Sequence, residues 1–293
     1  MKIRMISDVL KEQYGEKIYR LALSSGCTCP NRDGTVGTGG CTFCSEGGSG
    51  EFASAPASVA EQIEKAKALV RGKTAGQHFI AYFQSFTNTY GDMDRLRRLY
   101  EETVALEDIA VLALGTRPDC LDDRMIAMLS ELNKKKPVWV ELGLQTANDE
   151  TAERINRCYP RSTFEDAYTR LKAAGLTVVV HLIFGLPGES EEDMLASVRY
   201  LSGLTPPPDG VKLHLLQILR GTKTGEDFTR APWPVMTLDE YGELLVKALK
   251  LLPQETVIHR LTGDGPKKLL LAPLWCADKK TVLNTLRKRI EEA

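Results

Sequence analysis

The sequence has no apolar run approaching the roughly 18 residues that a membrane-spanning helix needs. It also has almost no net charge, because 38 Lys and Arg residues face 39 Asp and Glu residues, which gives −1 at pH 7. Any nucleic-acid surface must therefore be a local basic patch rather than a property of the whole chain. Residues 1–17 lack the apolar core of a signal peptide. From these absences we expect a cytoplasmic protein without a membrane partner.

Internal repeats and low-complexity linkers are also missing, and no Gly-x-Gly-x-x-Gly motif follows the first predicted strand. The missing motif disfavours a dinucleotide-binding fold. A length of 293 residues suits one large domain or two small ones. Hydrophobic residues at 43% and charged residues at 26% are typical of a globular chain.

Strand and helix patterns alternate along most of the chain. Predicted strands cover 17–24, 78–86, 108–116, 138–146, 176–188 and 210–219. Predicted helices cover 58–70, 94–106, 121–136, 148–157, 162–175 and 190–204, and Ser58 with Glu61 forms a capping box for the first. The alternation predicts right-handed βαβ units and a parallel sheet. The strands are almost continuously apolar, as expected when both faces of a sheet are covered.

Six such units are too few for a closed eight-fold barrel, so we predict an α/β fold with an open, partial (β/α)6 barrel. A doubly wound sheet is the alternative. The predicted organisation is a helical lead-in at 1–16, the barrel at 17–220 with a cysteine loop at 26–50, and a C-terminal α/β extension at 221–293. Within the extension we expect a loop at 220–236, helices at 237–252 and 277–293, and a last strand at 255–261. The active site is expected at the C-terminal ends of the strands.

Cysteine is unevenly distributed: four of the seven cysteines lie between positions 27 and 44. Cys29, Cys41 and Cys44 sit in a glycine-rich loop after the first strand and are one thiolate short of a full set for zinc or an iron–sulfur cluster. They predict a metal centre with one open position. Cys27 could complete a zinc site instead, but we expect Cys27 to point away from the other three cysteines.

The loop resembles that of the radical S-adenosylmethionine (SAM) superfamily. The form CPNRDG…GGCTFC is similar to the YhcC/YtqA-type subgroup, which is related to the catalytic subunit of the elongator complex. The resemblance continues through LGTRPDC, VELGLQT, RINR, HLIFGLPGE and VKLHLLQILRGT. It implies that Cys29, Cys41 and Cys44 hold three irons of a [4Fe-4S] cluster and that SAM chelates the fourth. Cluster reduction, with an electron from a donor such as a flavodoxin or ferredoxin, would cleave SAM to methionine and a 5′-deoxyadenosyl radical.

The resemblance and the strand pattern together suggest the SAM contacts. Related enzymes use residues like Gln145 for SAM and like Arg157 for its carboxylate. Glu141 and His181 are candidates for the ribose, with Glu141 also open to substrate and His181 also open to a role in the core. Ile183 and Leu216 are candidates for the adenine, and the GLPGE loop would pass under it. Four more cofactor candidates end the second and third predicted strands: Gln84, Ser85, Thr116 and Arg117.

Substrate residues are less distinct. The candidates are His214, His259, Arg260, Trp275 and Cys276, and Cys276 would either donate a hydrogen atom or be a buried structural cysteine. Local basic segments (267–268, 279–280 and 287–289) suit RNA or a merely solvated face. The aromatic residues that could stack a base are Tyr82, Tyr90 and Trp233.

Three functions are consistent with these features. The first is a radical SAM enzyme that modifies the C5 side chain of the tRNA wobble uridine, on the path to 5-methylaminomethyl-(2-thio)uridine. The second is a radical SAM enzyme acting on a tetrapyrrole or a protein, since GLQT and RINR also resemble segments of oxygen-independent coproporphyrinogen oxidases. The third is a non-catalytic, zinc-stabilised RNA-binding adaptor.

Overall fold

The computed structural model describes residues 1–48, 58–72 and 76–293, so residues 49 and 50 of the predicted cysteine loop lie outside the described part. Its strands are β1 (Arg4–Met5), β2 (Tyr19–Leu23), β3 (Phe79–Phe83), β4 (Ile109–Thr116), β5 (Val138–Gln145), β6 (Thr177–Phe184), β7 (Gly210–Leu215), β8 (Ile218–Leu219), β9 (Val257–Arg260) and β10 (Leu270–Ala272). Its α-helices are α1 (Ile6–Tyr14), α2 (Val59–Val70), α3 (Met93–Ala105), α4 (Asp123–Asn133), α5 (Asp149–Arg154), α6 (Arg161–Ala173), α7 (Glu191–Ser202), α8 (Lys223–Arg230), α9 (Leu238–Leu251) and α10 (Lys279–Glu292).

Eight strands form one parallel sheet in the order β1-β9-β7-β6-β5-β4-β3-β2, while β8 and β10 form a separate antiparallel pair. From β2 to β7 each strand pairs with the next strand along the chain. A doubly wound sheet would reverse its order at a switch point, and this one does not. The predicted α/β partial barrel is therefore confirmed, as a curled half-barrel with helices outside.

The sheet is wider than the six strands predicted from the sequence. Strand β9 pairs with β7, and the short strand β1 pairs with β9, so the start of the chain joins the far edge of the barrel. The sequence could not reveal β1, because two residues carry no periodic pattern.

The main core lies between the sheet and the outer helices. Outward-facing strand residues such as Leu112, Val140 and Leu213 are completely buried there against helix residues such as Leu96 and Phe164. The predicted capping box of α2 is confirmed. None of the helices in the described ranges is long and apolar enough to cross a membrane.

A second, smaller core closes the N-terminal end of the barrel. Leu10 of α1 packs there with the inward-facing residues Ile80, Val111 and Trp139. The helix predicted near the start of the chain thus acts as a plug, and the interior of the barrel is open only nearer the C-terminal ends of the strands.

The predicted loop at 220–236 is wrong in part, because it contains α8. Thr222 caps this helix by accepting a hydrogen bond from the backbone N–H of Gly225. A Cβ on Gly225 would lie 2.0 Å from the Leu219 carbonyl oxygen, so glycine serves a close approach here rather than a helix break. The backbone N–H of Thr224 donates to the carbonyl of Thr42, which ties α8 to the cysteine loop.

Two predicted elements end early. The helix predicted at 148–157 is α5 and stops at Arg154, and the strand predicted at 210–219 splits into β7 and β8. The residues that follow each interruption lie near the C-terminal end of the barrel, where the candidate site lies.

Candidate cluster and cofactor cavity

One cavity lies at the C-terminal ends of the barrel strands. It brings together residues that are up to 236 positions apart, from Cys29 to Gly265. The predicted site residues that line it are Cys29, Cys41, Cys44, Gln84, Thr116, Arg117, Glu141, Gln145, His181, Ile183 and Leu216. Ser85, Arg157 and Cys276 are not among the lining residues.

Ile155 and Asn156, which directly follow α5, hold the cysteine loop in place through hydrogen bonds. Asn31 donates from Nδ2 to the Asn156 carbonyl at 2.6 Å, and Asn156 donates from Nδ2 to the Gly40 carbonyl at 2.8 Å. The Thr42 N–H donates to the Ile155 carbonyl. Asn156 adopts a φ of 54°, a left-handed conformation that asparagine tolerates better than most residues. These contacts position Cys41 and Cys44 relative to the barrel.

Gln145 reaches the cavity through a distorted strand end. Its φ is 63°, and the pairing of β5 with β6 shifts register between Gly143 and Gln145. The Tyr159 hydroxyl donates to the Gly143 carbonyl at 2.9 Å and lies 3.2 Å from Gln145 Oε1. A Cβ on Gly143 would lie 2.5 Å from Gln145 Nε2, so this glycine leaves room for the glutamine side chain.

Two arginines flank the ring of Tyr159. Arg117 lies 4.7 Å from the ring centroid, lines the cavity, and pairs with Asp119 through Nη2 at 2.7 Å. Arg157 lies 4.6 Å from the same centroid. Its guanidinium is fully buried and donates to the carbonyls of Leu144, Thr146 and Tyr159, with an ion pair to Asp149 at 3.1 Å.

The structure therefore does not support direct contact between Arg157 and SAM, and the side chain instead holds the end of β5. Four hydrogen bonds occupy its guanidinium, and α5 has already ended at Arg154, so the chain turns Arg157 under the strand instead of into the cavity. Arg117 is the arginine that this part of the fold places in the lining.

The apolar part of the lining fits the prediction for Ile183 and Leu216. Both pack in a cluster with Phe43, Ile155 and Leu186. The GLPGE loop lies behind this cluster, since Leu186 is buried and the loop residues do not line the cavity.

Of the polar candidates at the ends of β3 and β4, some line the cavity and one does not. Gln84 lines the cavity, and Thr116 does so while its hydroxyl lies 2.5 Å from that of Thr89. Ser85 is buried behind them, so the structure gives it no place in the lining.

A band of charged and neutral polar side chains crosses the barrel between the cavity mouth and the apolar plug, and we call it the polar layer. Its members are Arg20, Tyr82, Glu141, His181, Lys212 and Arg260.

Glu141 is the hub of the polar layer. Its Oε2 is paired with Lys212 Nζ and accepts a hydrogen bond from His181 Nε2 at 3.1 Å, and Arg20 lies 3.7 Å from Oε1. Burial acts against ionisation, but Lys212 and Arg20 outweigh it and hold the pKa of Glu141 well below its usual range. Burial, with Lys212 nearby, lowers the pKa of His181 to about 4, so this imidazole is neutral at pH 7. The prediction of a ribose contact for Glu141 and His181 stays a prediction.

Only some of the substrate candidates line the cavity. His214 and Arg260 line the cavity, whereas the ring of buried His259 contacts Arg20 at 3.0 Å and Trp275 donates to the Met236 carbonyl.

Cys276 lies outside the lining, next to Tyr241, and its thiol is hydrogen-bonded to Gln217, which does line the cavity. Burial raises the pKa of Cys276 to about 11. Cys276 is only partly buried and packs against the main core, and the structure does not support direct access of its thiol to the cavity.

Family models match nearly the whole chain: that of the radical SAM superfamily covers residues 28–201, and that of the radical SAM C-terminal domain covers residues 208–292. The chain belongs to the radical SAM superfamily. Radical SAM enzymes use a [4Fe-4S] cluster and SAM, so the matches identify the protein as an enzyme of this family with those cofactors.

Several relatives are similar over most of the chain. The uncharacterized protein YtqA of Bacillus subtilis is 38% identical over 96% of this chain and 87% of its own length. Protein YhcC of Escherichia coli K12 is 35% identical over 99% of this chain and 93% of its own. The resemblance to the YhcC/YtqA-type subgroup is confirmed. A tRNA uridine(34) acetyltransferase of Methanocaldococcus infernus is more distant, at 25% identity over 73% of this chain and 41% of that protein.

Among solved structures, the archaeal Methanocaldococcus infernus Elp3 with an N-terminal deletion superposes with a TM-score of 0.69. The match covers 79% of this chain and 58% of the archaeal chain, at 18% identity. At that identity the likeness shows the fold alone.

The cysteine set fits the cluster that this family uses. Three thiols open onto one cavity, and Asn31 Nδ2 points at Cys41 Sγ from 3.8 Å, the direction in which backbone and side-chain amides support cluster sulfurs. Burial and the neighbouring Cys44 and Cys29 raise the pKa of the free Cys41 thiol to about 12, so a positive metal centre is what would favour its thiolate.

A zinc site is not supported. No group of three or more His, Cys, Asp or Glu side chains in the described ranges is placed to hold a single metal ion. Cys27 is buried away from the cavity, where Arg95 Nη2 donates to its sulfur at 3.3 Å. The expected direction of Cys27 is confirmed: β2 ends at Leu23, so both cysteines lie in the loop beyond the strand, where Cys27 contacts Arg95 and Cys29 lines the cavity.

Tyr159 and Lys212 are the main residues that the sequence analysis missed. Lys212 did have a signal, since it is a charged residue in an apolar strand and, like Glu141, needs a partner when buried. Tyr159 had none, because it lies between two helices and reaches Gln145 only through the fold.

Proposed function

We propose that this protein is a radical SAM enzyme that remodels the C5 substituent of the wobble uridine in tRNA. The observation that carries the proposal is the single cavity that joins the three cysteines at its mouth to the polar layer beneath them. In the proposal, Cys29, Cys41 and Cys44 ligate the cluster, and a flavodoxin or ferredoxin supplies the electron. When bound, the cluster and SAM supply a reductive cleavage that yields a 5′-deoxyadenosyl radical.

The residues of this chain would orient SAM and exclude water. Gln145, held by Tyr159, would contact the amino-acid part of SAM, and Arg117 in the lining would pair with its carboxylate. Ile183 and Leu216 would enclose the adenine, and Gln84, Thr116, Glu141 and His181 would supply polar contacts.

A tRNA substrate is supported by two features. One relative is named a tRNA uridine(34) acetyltransferase, and the present chain matches 41% of its length, so acetyl transfer itself is not part of the proposal. The second feature is the basic segment at 267–268, which is exposed and directly follows the cavity-lining residues 263–265. The other basic segments are partly neutralised, since Lys279 pairs with Asp264 and Arg289 pairs with Asp239.

The test is nucleoside mass spectrometry of total tRNA from matched strains with and without the gene. We expect a C5-substituted uridine to change in the deletion strain and to be restored by the wild-type gene. A gene carrying Cys41→Ala and Cys44→Ala should not restore it, although the protein should accumulate. Identical nucleosides in both strains would overturn the proposal.

A further inference from the structure

The polar layer carries more positive charge than its one carboxylate needs. Lys212 and Arg20 both approach Glu141, and Arg260 is a third cation at the same level of the barrel, paired in register with Lys212. In the described ranges, three cations of the polar layer therefore face one anion. Asp264, which also lines the cavity, does not correct the balance because Lys279 pairs with it.

Among the described residues, Arg260 is the cation of the polar layer for which no ion pair is found. It lines the cavity from the end of β9, and its guanidinium has no ion pair or hydrogen bond with a side chain or carbonyl in the part of the chain that the structure describes. Arginine presents a planar fork of donors that matches a carboxylate. Its position inside the barrel rather than on the outer surface means that an anion bound there would be largely shielded from water.

His214 adds a second open polar group beside it. The Nε2 atom is buried and has no hydrogen-bond partner among the described residues. Burial, with His181 and Arg260 nearby, holds the pKa of His214 well below its usual value, so the ring is neutral at pH 7. A neutral imidazole can donate one hydrogen bond to an anion. A buried polar atom without a partner is costly in a folded protein, which indicates that a ligand completes it.

We propose that Arg260 and His214 bind a carboxylate at the end of the substrate's reacting side chain. This rests on the proposed function and narrows it: the wobble uridine would carry a C5 substituent that ends in a carboxylate.

A carboxylate fits better than a backbone phosphate. The two groups lie on barrel strands below the level of the cysteine loop, and a short substituent can reach that depth from a base at the cavity mouth. A phosphate belongs to the RNA backbone, which the exposed segment at 267–268 would meet outside the cavity.

The test uses two synthetic anticodon stem-loops that differ in one group, 5-carboxymethyluridine or the isosteric 5-carbamoylmethyluridine at the wobble position. Fluorescence anisotropy measures their binding to the anaerobically reconstituted protein with SAM and without reductant, so no turnover occurs. We expect the carboxylate stem-loop to bind about ten- to a hundredfold more tightly, the range of a charge-assisted pair. Arg260→Gln should remove that preference, whereas the control Arg230→Gln, at an exposed position, should keep it.

Equal binding of the two stem-loops by the wild-type protein would overturn the inference without any variant. An Arg260→Gln protein that keeps the full preference would overturn it too, as would equal weakening of both stem-loops, which indicates a phosphate contact. If the deletion strain still shows an altered wobble uridine, the proposed function survives such a result. Failure to bind either stem-loop, together with unchanged tRNA nucleosides, would overturn both the carboxylate site and the proposed function.

Discussion

Gln145 illustrates how single residues shape this site. It is held at a positive φ by the register shift in β5, and residues in that region of backbone space persist only where the surroundings impose them. Tyr159 supplies the restraint, itself flanked by Arg117 and Arg157. Arg157 therefore reaches the cavity lining only indirectly, through the carbonyls of Leu144 and Thr146 and the ring of Tyr159.

Gly143→Ala tests this arrangement. The new Cβ would meet Gln145 Nε2 at 2.5 Å, and relieving that clash should turn the glutamine amide away from its present position. We expect SAM affinity, measured by equilibrium dialysis of the reconstituted protein, to fall roughly tenfold or more. The matched control is Gly72→Ala, where a Cβ meets nothing within 4 Å. Unchanged SAM affinity in the Gly143 variant would show that Gln145 does not contact SAM.

The cluster cysteines give a second prediction at this scale. Cys44→Ala should remove a ligand and leave the reconstituted protein with little bound iron and little of the broad visible absorption of an iron–sulfur cluster. Cys27→Ser, which changes a thiol bound to Arg95 outside the cavity, should keep both. Iron content and absorption spectra measure the outcome. Equal iron loss in the two variants would make Cys27 a ligand.

Among the elements, the turn between β6 and α7 couples the SAM region to the outer helices. Thr146, directly after Gln145, donates its hydroxyl to Glu189 Oε1 at 2.5 Å. Burial raises the pKa of Glu189 from 4.5 to about 7, although the bond from Thr146 acts against the shift. The glutamate is thus protonated in the folded chain at a pH where it ionises in the unfolded chain.

This difference predicts a pH dependence of stability. Between pH 4.5 and about 7 the folded chain keeps a proton that the unfolded chain releases. The free energy of unfolding should therefore fall as pH rises through this window, by on the order of 2 kcal/mol from this group. Glu189→Gln should remove that part of the slope in urea titrations at several pH values, and exposed Glu153→Gln should not. If the free energy of unfolding changed with pH equally in the wild type and in Glu189→Gln, this prediction would be wrong.

On the scale of the whole molecule, the two ends of the chain close the barrel. Strand β1 extends the sheet through β9, and α1 fills the N-terminal opening with Leu10. The apolar plug keeps water from the N-terminal side of the polar layer, which strengthens the interaction between Glu141 and Lys212.

Leu10→Ala tests whether α1 seals the barrel and should destabilise the protein. The side chain is 3% exposed, and truncating a buried leucine costs about 2–5 kcal/mol, including the cavity it leaves. The urea unfolding midpoint should fall accordingly. Leu69→Ala, at a leucine that is 74% exposed, is the matched control and should change stability by less than about 0.5 kcal/mol. Similar small changes for both variants would mean that α1 does not seal the barrel.

Much of the framework was predictable because its signals are local. Apolar runs of strand length, helical periodicity and the capping residue Ser58 predicted the order of elements from β2 to β7. Helix α8 was missed because Gly225 suggests a break when only its neighbours in sequence are considered. Strand β1 was missed because two residues cannot show a period.

The sequence by itself determined the reaction class and the order of strands from β2 to β7, since the cysteine spacing and the alternation of strands and helices are properties of neighbouring residues. Only the tertiary structure decided which distant side chains share the cavity. In the folded chain Arg157 lies beneath β5 and Tyr159 contacts Gln145. Arg117 and Arg260 line the cavity. The physical reason is that partners of buried charges are chosen by packing across the barrel, and strand register and loop closure set that packing.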